Sequence, residues 1–156
     1  MRRIAMLTGI LVFLCLSAAV AQELAPDLKI VPPAAGVPPR LAQLSGIWEG
    51  AWESSISGKT VVPMDAIGWG IKVAIVEITP PKVEAFYATS GSPGNPGKSF
   101  RVRDASIAGE AIVLKWGQPG EEKTITLTPS GKPGVAQATM ETEGKTRVYK
   151  ATLRKK

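Results

Sequence analysis

Histidine is absent from the 156 residues, and cysteine occurs once, at Cys15. Without histidine there is no Ser-His-Asp or Cys-His nucleophile pair, no imidazole general base and no His-bearing zinc site. A lone cysteine allows neither an internal disulfide nor a thiolate metal cluster. Aromatics are scarce at 6% and charged residues stand at 21%. No stretch has a clear 3.6-residue apolar period, so helix should be minor. Against these shortages stand 13 Pro and 16 Gly punctuating a chain that is 44% apolar, the profile of a loop-rich all-β protein. At this length one domain is expected, and nothing in the composition calls for a cofactor or a metal.

The chain opens Met1-Arg2-Arg3, continues with an unbroken apolar run from Ile10 to Leu16, and reaches Ser17-Ala18-Ala19-Val20-Ala21-Gln22. A basic start, a short apolar core and small residues at Ala19 and Ala21 are the three parts of a secretory signal, so residues 1–21 read as a signal peptide cleaved near Ala21. The run is shorter than the roughly 20 residues needed to span a bilayer, and cleavage leaves no transmembrane segment. Leu14 stands where a lipoprotein signal places Gly or Ala before its modified cysteine, which argues against lipidation of Cys15. The expected location is the periplasm or the exterior. Removing Arg2 and Arg3 lowers the formal charge from +6 to +4. That excess is spread along the chain apart from Arg101, Arg103 and the tail Arg154-Lys155-Lys156, without the basic face interleaved with aromatics of a nucleic-acid binder, so no nucleic-acid partner is expected.

Residues 22–43 hold Pro26, Pro32, Pro33, Pro38 and Pro39 and read as a semi-rigid arm rather than part of a core. Whether Leu28, Ile30 and Val31 dock back on the domain is open. The folded domain is expected over 44–156. There, β-type runs near 46–54, 59–63, 69–79, 82–90, 99–107, 110–116, 122–128, 134–142 and 145–154 alternate with turn signals such as Gly58, Pro80-Pro81, Gly109, Pro119-Gly120, Ser130-Gly131 and Glu143-Gly144. Connections this short join antiparallel neighbours in an up-and-down meander, which closes into a barrel of about eight strands because an open meander leaves exposed edges.

Alternation within the runs assigns faces. Trp48, Gly50 and Trp52 point one way, Glu49, Ala51 and Glu53 the other. Ile112, Leu114 and Trp116, Ile125 and Leu127, and Tyr149, Ala151 and Leu153 form further inward rows, joined by Val83, Tyr87, Phe100 and Val102. The run at 69–79 is apolar on both faces, with Ile71, Val73 and Ile75 in one row and Ala74, Val76 and Ile78 in the other. A doubly apolar strand wants a cover: the arm at Ile30-Val31, a second copy of the chain, or another envelope protein.

Gly46-Ile47-Trp48 on the first strand, Gly50 and Trp52 after it, and a Gly-punctuated meander ending in a basic strand resemble the lipocalin and calycin group, in particular small lipocalin-like domains of exported bacterial proteins. The resemblance covers roughly 44–156. It implies that Trp48 plugs one end of the barrel and that a basic side chain of the last strand covers its ring, Arg154 first and Arg147 second. An Arg over Trp contributes about 0.5–2 kcal/mol depending on desolvation.

An eight-stranded barrel is filled by its own side chains or holds one small ligand. The candidate ligand contacts in the interior are Trp52, Tyr87, Phe100, Trp116 and Tyr149, the two tyrosines supplying hydroxyls. The loop Ser90–Lys98 is Gly-rich and ends in Lys, but it lacks the strand-to-helix setting of a phosphate cradle and reads as a hairpin connection at the barrel mouth. Glu49 and Glu53 share a face about 13 Å apart, too far for a glycosidase carboxylate pair. Ser54, Ser55 and Ser57 have no histidine to activate them, and a pairing with Lys59 has no supporting motif. Catalysis is therefore not expected. Two readings remain: a barrel binding a small apolar or amphipathic molecule, and a filled barrel whose outer face and arm serve protein association.

Overall fold

A computed structural model describes residues 24, 25, 27–56, 59–63, 69–91 and 96–156. Residues 1–21, which read in sequence as a signal peptide and include Cys15, lie outside the described residues. Nine antiparallel strands run around a nearly closed barrel: β1 (Gly46–Ala51), β4 (Gly70–Thr79), β5 (Lys82–Thr89), β6 (Ser99–Val102), β7 (Asp104–Ala108), β8 (Ala111–Trp116), β9 (Lys123–Pro129), β10 (Val135–Thr142) and β11 (Tyr149–Lys155), adjacent in the order β6-β5-β4-β1-β11-β10-β9-β8-β7. Two further strands, β2 (Glu53–Ile56) and β3 (Lys59–Pro63), form a hairpin off this path, joined to the barrel where β2 pairs with β11. The count is nine rather than eight because the run expected as one strand bends at Arg103. Its first half, β6, pairs with β5 and its second half, β7, pairs with β8, so one continuous stretch of chain bridges the two ends of the sheet. The last strand begins at Tyr149 rather than residue 145. Among the described residues no helix is long and apolar enough to cross a membrane.

The two-residue period drives the interior. Trp48, Ile71, Val73, Ile75, Ile112, Leu114, Ile125, Leu127 and Leu153 are all at most 2% exposed. Small residues fit between them: Ala138 pairs with Ala151 on one side and Leu127 on the other, which makes room for the bulk of neighbouring rows. Gly50 permits the closest approach of β1 to β11, since a Cβ there would stand 2.6 Å from the Thr152 carbonyl oxygen and 2.7 Å from Leu153 Cδ2.

The doubly apolar strand is resolved by a β-bulge. The β4–β5 register shifts between Ile75 and Glu77, so Val76 is the extra residue and the alternation reverses after it. Ile78, expected on the outer row, joins the inner core with Val83 as its cross-strand partner, and the outer face keeps Ala74 and Val76. That face is covered by the arm. Leu24, Leu28 and Ile30 cluster with Ala74, Val76, Ala88, Ile47 and Phe86. Past Gly46, where β1 begins, β4 has a free edge. Val31 N–H donates to the Val76 carbonyl at 2.8 Å and Ala34 N–H to that of Ile78 at 3.0 Å, satisfying carbonyls the bulge and the end of β1 leave available.

The proline-rich segment then turns into a one-turn helix, α1 (Pro39–Ala42), with Pro39 at its first position, where the missing N–H costs nothing. The turn sends Leu41 and Leu44 into the main core, 1% and 0% exposed. The segment expected as a tether thus supplies a core side chain of its own, because a short helix at the end of a barrel can insert one residue where strands have run out. Arg40 reaches Glu110 in the β7–β8 turn at 2.7 Å, an exposed pair of at most about 1 kcal/mol.

Candidate functional site

The two ends of the barrel differ in filling. At the α1 end, Trp48 is 2% exposed and its indole N–H donates to the Leu44 carbonyl at 2.8 Å. Leu41 and Leu44 pack into the same core, with Val37 against it. The cation over the Trp48 ring is Lys155, its Nζ 5.4 Å from the ring centroid and 3.3 Å from the Gln43 carbonyl oxygen that accepts its hydrogen bond. Arg154, expected in that role, lies exposed on the outer face opposite Glu49, and Arg147 is exposed as well. The reason is parity: Leu153 points inward, so Lys155 does too, and Arg154 points out. Glu49 is held on the outside between Lys72 at 3.1 Å and Lys156 at 3.2 Å. Partial burial works against its ionisation, but the hydrogen bonds and charges of the two lysines prevail and lower its pKa.

The opposite mouth is hollow. A cavity of about 580 Å³ opens there, within the roughly 300–1,000 Å³ of small-molecule sites. Trp52, Trp69, Tyr87, Phe100, Trp116 and Met140 form its apolar lining, and Thr89, Ser90, Lys98, Gln118, Glu121 and Lys123 its polar rim. Three of the four tryptophans are in this lining. On one wall the Tyr87 and Trp116 ring centroids are 4.8 Å apart at 32°, with Phe100 5.6 Å from Trp116 in an edge-on arrangement and 5.7 Å from Tyr87. Such pairs contribute about 0.5–1.5 kcal/mol beyond their burial and hold the rings in fixed orientations. On the other wall Trp69, 38% exposed, leans on Tyr149 at 5.7 Å.

At the floor, the Trp52 indole N–H donates to the Tyr87 hydroxyl oxygen at 3.3 Å. Burial pushes the Tyr87 hydroxyl up to about 12, only partly offset by the Trp52 hydrogen bond, so it is a neutral hydroxyl under physiological conditions. The rim is tied by backbone contacts. Gly70 N–H donates to Ser90 Oγ at 2.8 Å, and Ser90 N–H to the Gly70 carbonyl at 2.9 Å, clamping the start of β4 to the end of β5. Across the mouth, Gly120 N–H donates to the Glu143 carboxylate and Glu143 N–H to the Glu122 carbonyl, both at 2.8 Å, locking the 117–122 turn onto the β10–β11 turn. Gly117 opens that turn at φ +126°, a conformation side-chain-bearing residues rarely adopt, so the chain can leave Trp116 and fold back over the rim.

Of the five residues expected to contact a ligand, Trp52, Tyr87, Phe100 and Trp116 line this cavity together. Tyr149 does not; it backs the wall behind Trp69. Trp69 itself carried a usable signal, since it continues the inward row of Ile71, Val73 and Ile75 by steps of two. Lys123 likewise continues Ile125 and Leu127, and Thr89 continues Tyr87. Residues 92–95 of the mouth loop, and the side chains of Ser54, Ser55 and Lys59, lie outside what the structure describes, as does Ser57. A second, wider hollow of about 1,110 Å³ runs along the seam at Arg103, where Lys82, Arg101, Arg103 and Lys115 meet Asp104 and Glu122. Its six charged side chains suit solvent better than a compact ligand.

Comparisons of the chain with protein-family models, with curated proteins and with solved structures give no match.

Proposed function

We propose that the protein is an exported, lipocalin-like β-barrel that holds one small amphipathic molecule in the aromatic cavity at its open mouth, without catalysing a reaction. The observation that carries this reading is the asymmetry of the barrel. One end is filled by Trp48, Leu41 and Leu44, and the other converges five aromatic side chains on a hollow of about 580 Å³ with a polar rim. The nearly closed antiparallel barrel, and Lys155 over Trp48, support a likeness to the lipocalin and calycin group; the filled interior departs from a deep central calyx. Export rests on the basic, apolar and small-residue pattern of residues 1–21.

The competing reading, a filled barrel serving protein association through the outer face of the 69–79 strand, loses its main support where Leu24, Leu28 and Ile30 occupy that face. Titration of tryptophan fluorescence with small hydrophobes and lipids, alongside native mass spectrometry of protein purified from its host, tests the choice. Saturable quenching or a co-purified small-molecule mass is the expected result. A silent titration with a dimeric or heteromeric mass would refute ligand binding in favour of association.

A further inference from the structure

The shape of the mouth cavity restricts what fits it. Thr89 stands at the rim and Tyr87 at the floor, two residue steps apart on β5, which is a depth of about 7 Å. Beneath Tyr87 comes Ala85, paired with Ile75 and Val102, and all three are buried. A flexible acyl chain directed down the barrel axis therefore meets Trp52 and Tyr87 and then a close-packed interior. The hollow is lined by ring surface from two separate groups, Tyr87, Trp116 and Phe100 in mutual contact, and Trp69, which is backed by Tyr149.

The polar groups restrict it further. Tyr87 is 4% exposed and its oxygen already accepts the Trp52 N–H, while no group among the described residues accepts its own O–H. A hydroxyl in that state keeps its proton for donation into the cavity, and its hydrogen rotates to suit an acceptor placed there. At the rim, Lys98 and Lys123 outnumber Glu121, so an acceptor-bearing or anionic ligand meets no net repulsion.

We infer that the mouth cavity selects a compact, flat aromatic compound bearing a carbonyl or carboxylate acceptor, which lies between the two aromatic walls and takes a hydrogen bond from Tyr87. This rests on the reading of the mouth as a ligand site and names the class of ligand. Long-chain aliphatic amphiphiles are disfavoured by the floor, and apolar rings without an acceptor leave the hydroxyl unused.

Fluorescence titration of the purified protein with 2-naphthoate, naphthalene and dodecanoate tests it. 2-Naphthoate should quench saturably, and dodecanoate should bind about tenfold more weakly because it stacks on neither wall. Tyr87→Phe should weaken 2-naphthoate about tenfold, the loss of one hydrogen bond to a charged acceptor, while changing naphthalene by no more than about twofold. Dodecanoate binding as tightly as 2-naphthoate would overturn the inference and leave the mouth as a binding site. Unchanged 2-naphthoate affinity in Tyr87→Phe would overturn the role of the hydroxyl, and equal loss of both ring probes would show that Tyr87 builds the wall rather than reads the ligand. Failure of all three probes on the parent protein would overturn the ligand site itself.

Discussion

Replacing Leu41 with alanine should unfold the plugged end of the barrel far more effectively than removing the whole arm before it. Leu41 is 1% exposed, enters the main core beside Leu44, and comes from a single helical turn that no other element can substitute. Truncating a leucine so placed costs about 2–5 kcal/mol, the upper part of that range applying where neighbours cannot relax into the gap, as strands held by ladders on both sides cannot. The docked arm obeys a different balance. Burial of Leu24 contributes about 2 kcal/mol and each of the two backbone bonds to β4 about 1 kcal/mol, and the entropy lost in ordering an open segment works against that gain. The net contribution of the arm is consequently small. Urea unfolding of the parent, of Leu41→Ala, and of chains beginning at residue 39 and at residue 44 decides the matter, followed by tryptophan fluorescence and circular dichroism. Leu41→Ala and the chain from residue 44 should lose about 2–5 kcal/mol, or roughly 10–20 °C in Tm, whereas the chain from residue 39 should lose less than about 2 kcal/mol. A Leu41→Ala variant within about 0.5 kcal/mol of the parent, or a chain from residue 39 as unstable as that variant, would refute the assignment.

Further outcomes are expected elsewhere in the molecule. Tyr87 is raised from 10 to about 12, so the stability it confers is intact below pH 10 and declines by about 3 kcal/mol as pH rises through 12, because the unfolded chain releases that proton first. Phenolate absorbance in a Tyr149→Phe background reads this directly, and titration near pH 10 in the folded protein would contradict the buried placement. Lys155→Met should cost about 0.5–1 kcal/mol and shift Trp48 emission, while Arg154→Met should be close to neutral; the reverse ranking in thermal melts would return the cover to Arg154. Gly50→Ala forces a Cβ to 2.6 Å from the Thr152 carbonyl oxygen, so a loss of about 1–3 kcal/mol is expected, and an unchanged midpoint would mean that β1 and β11 can separate freely.

Much of the mouth is legible in the sequence, and the reasons are local. Trp52, Tyr87, Phe100 and Trp116 fall on inward rows set by a period of two, and four antiparallel passes bring the same ends of their strands together. Trp69, Thr89 and Lys123 obey the same rule, but each is a polar or terminal member of its row, beyond the apolar alternation that marks the row. Arg154 was misplaced for the opposite reason: the family likeness pointed to a basic residue of the last strand, while parity with Leu153 already pointed to Lys155. Tyr149 sits on an inward row as expected, yet the bulk of Trp69 separates it from the hollow.

The amino-acid sequence by itself determined the all-β class, the positions of nearly every strand and the inward face of each, because alternation, turn glycines and prolines act over a few residues. Only the tertiary structure decided that a bulge at Val76 turns Ile78 inward, that the arm covers β4, that Leu41 closes one end, and that the other end stays open. Those outcomes depend on volumes and free hydrogen-bonding groups contributed by segments far apart in the chain, and no local pattern reports how such pieces fit.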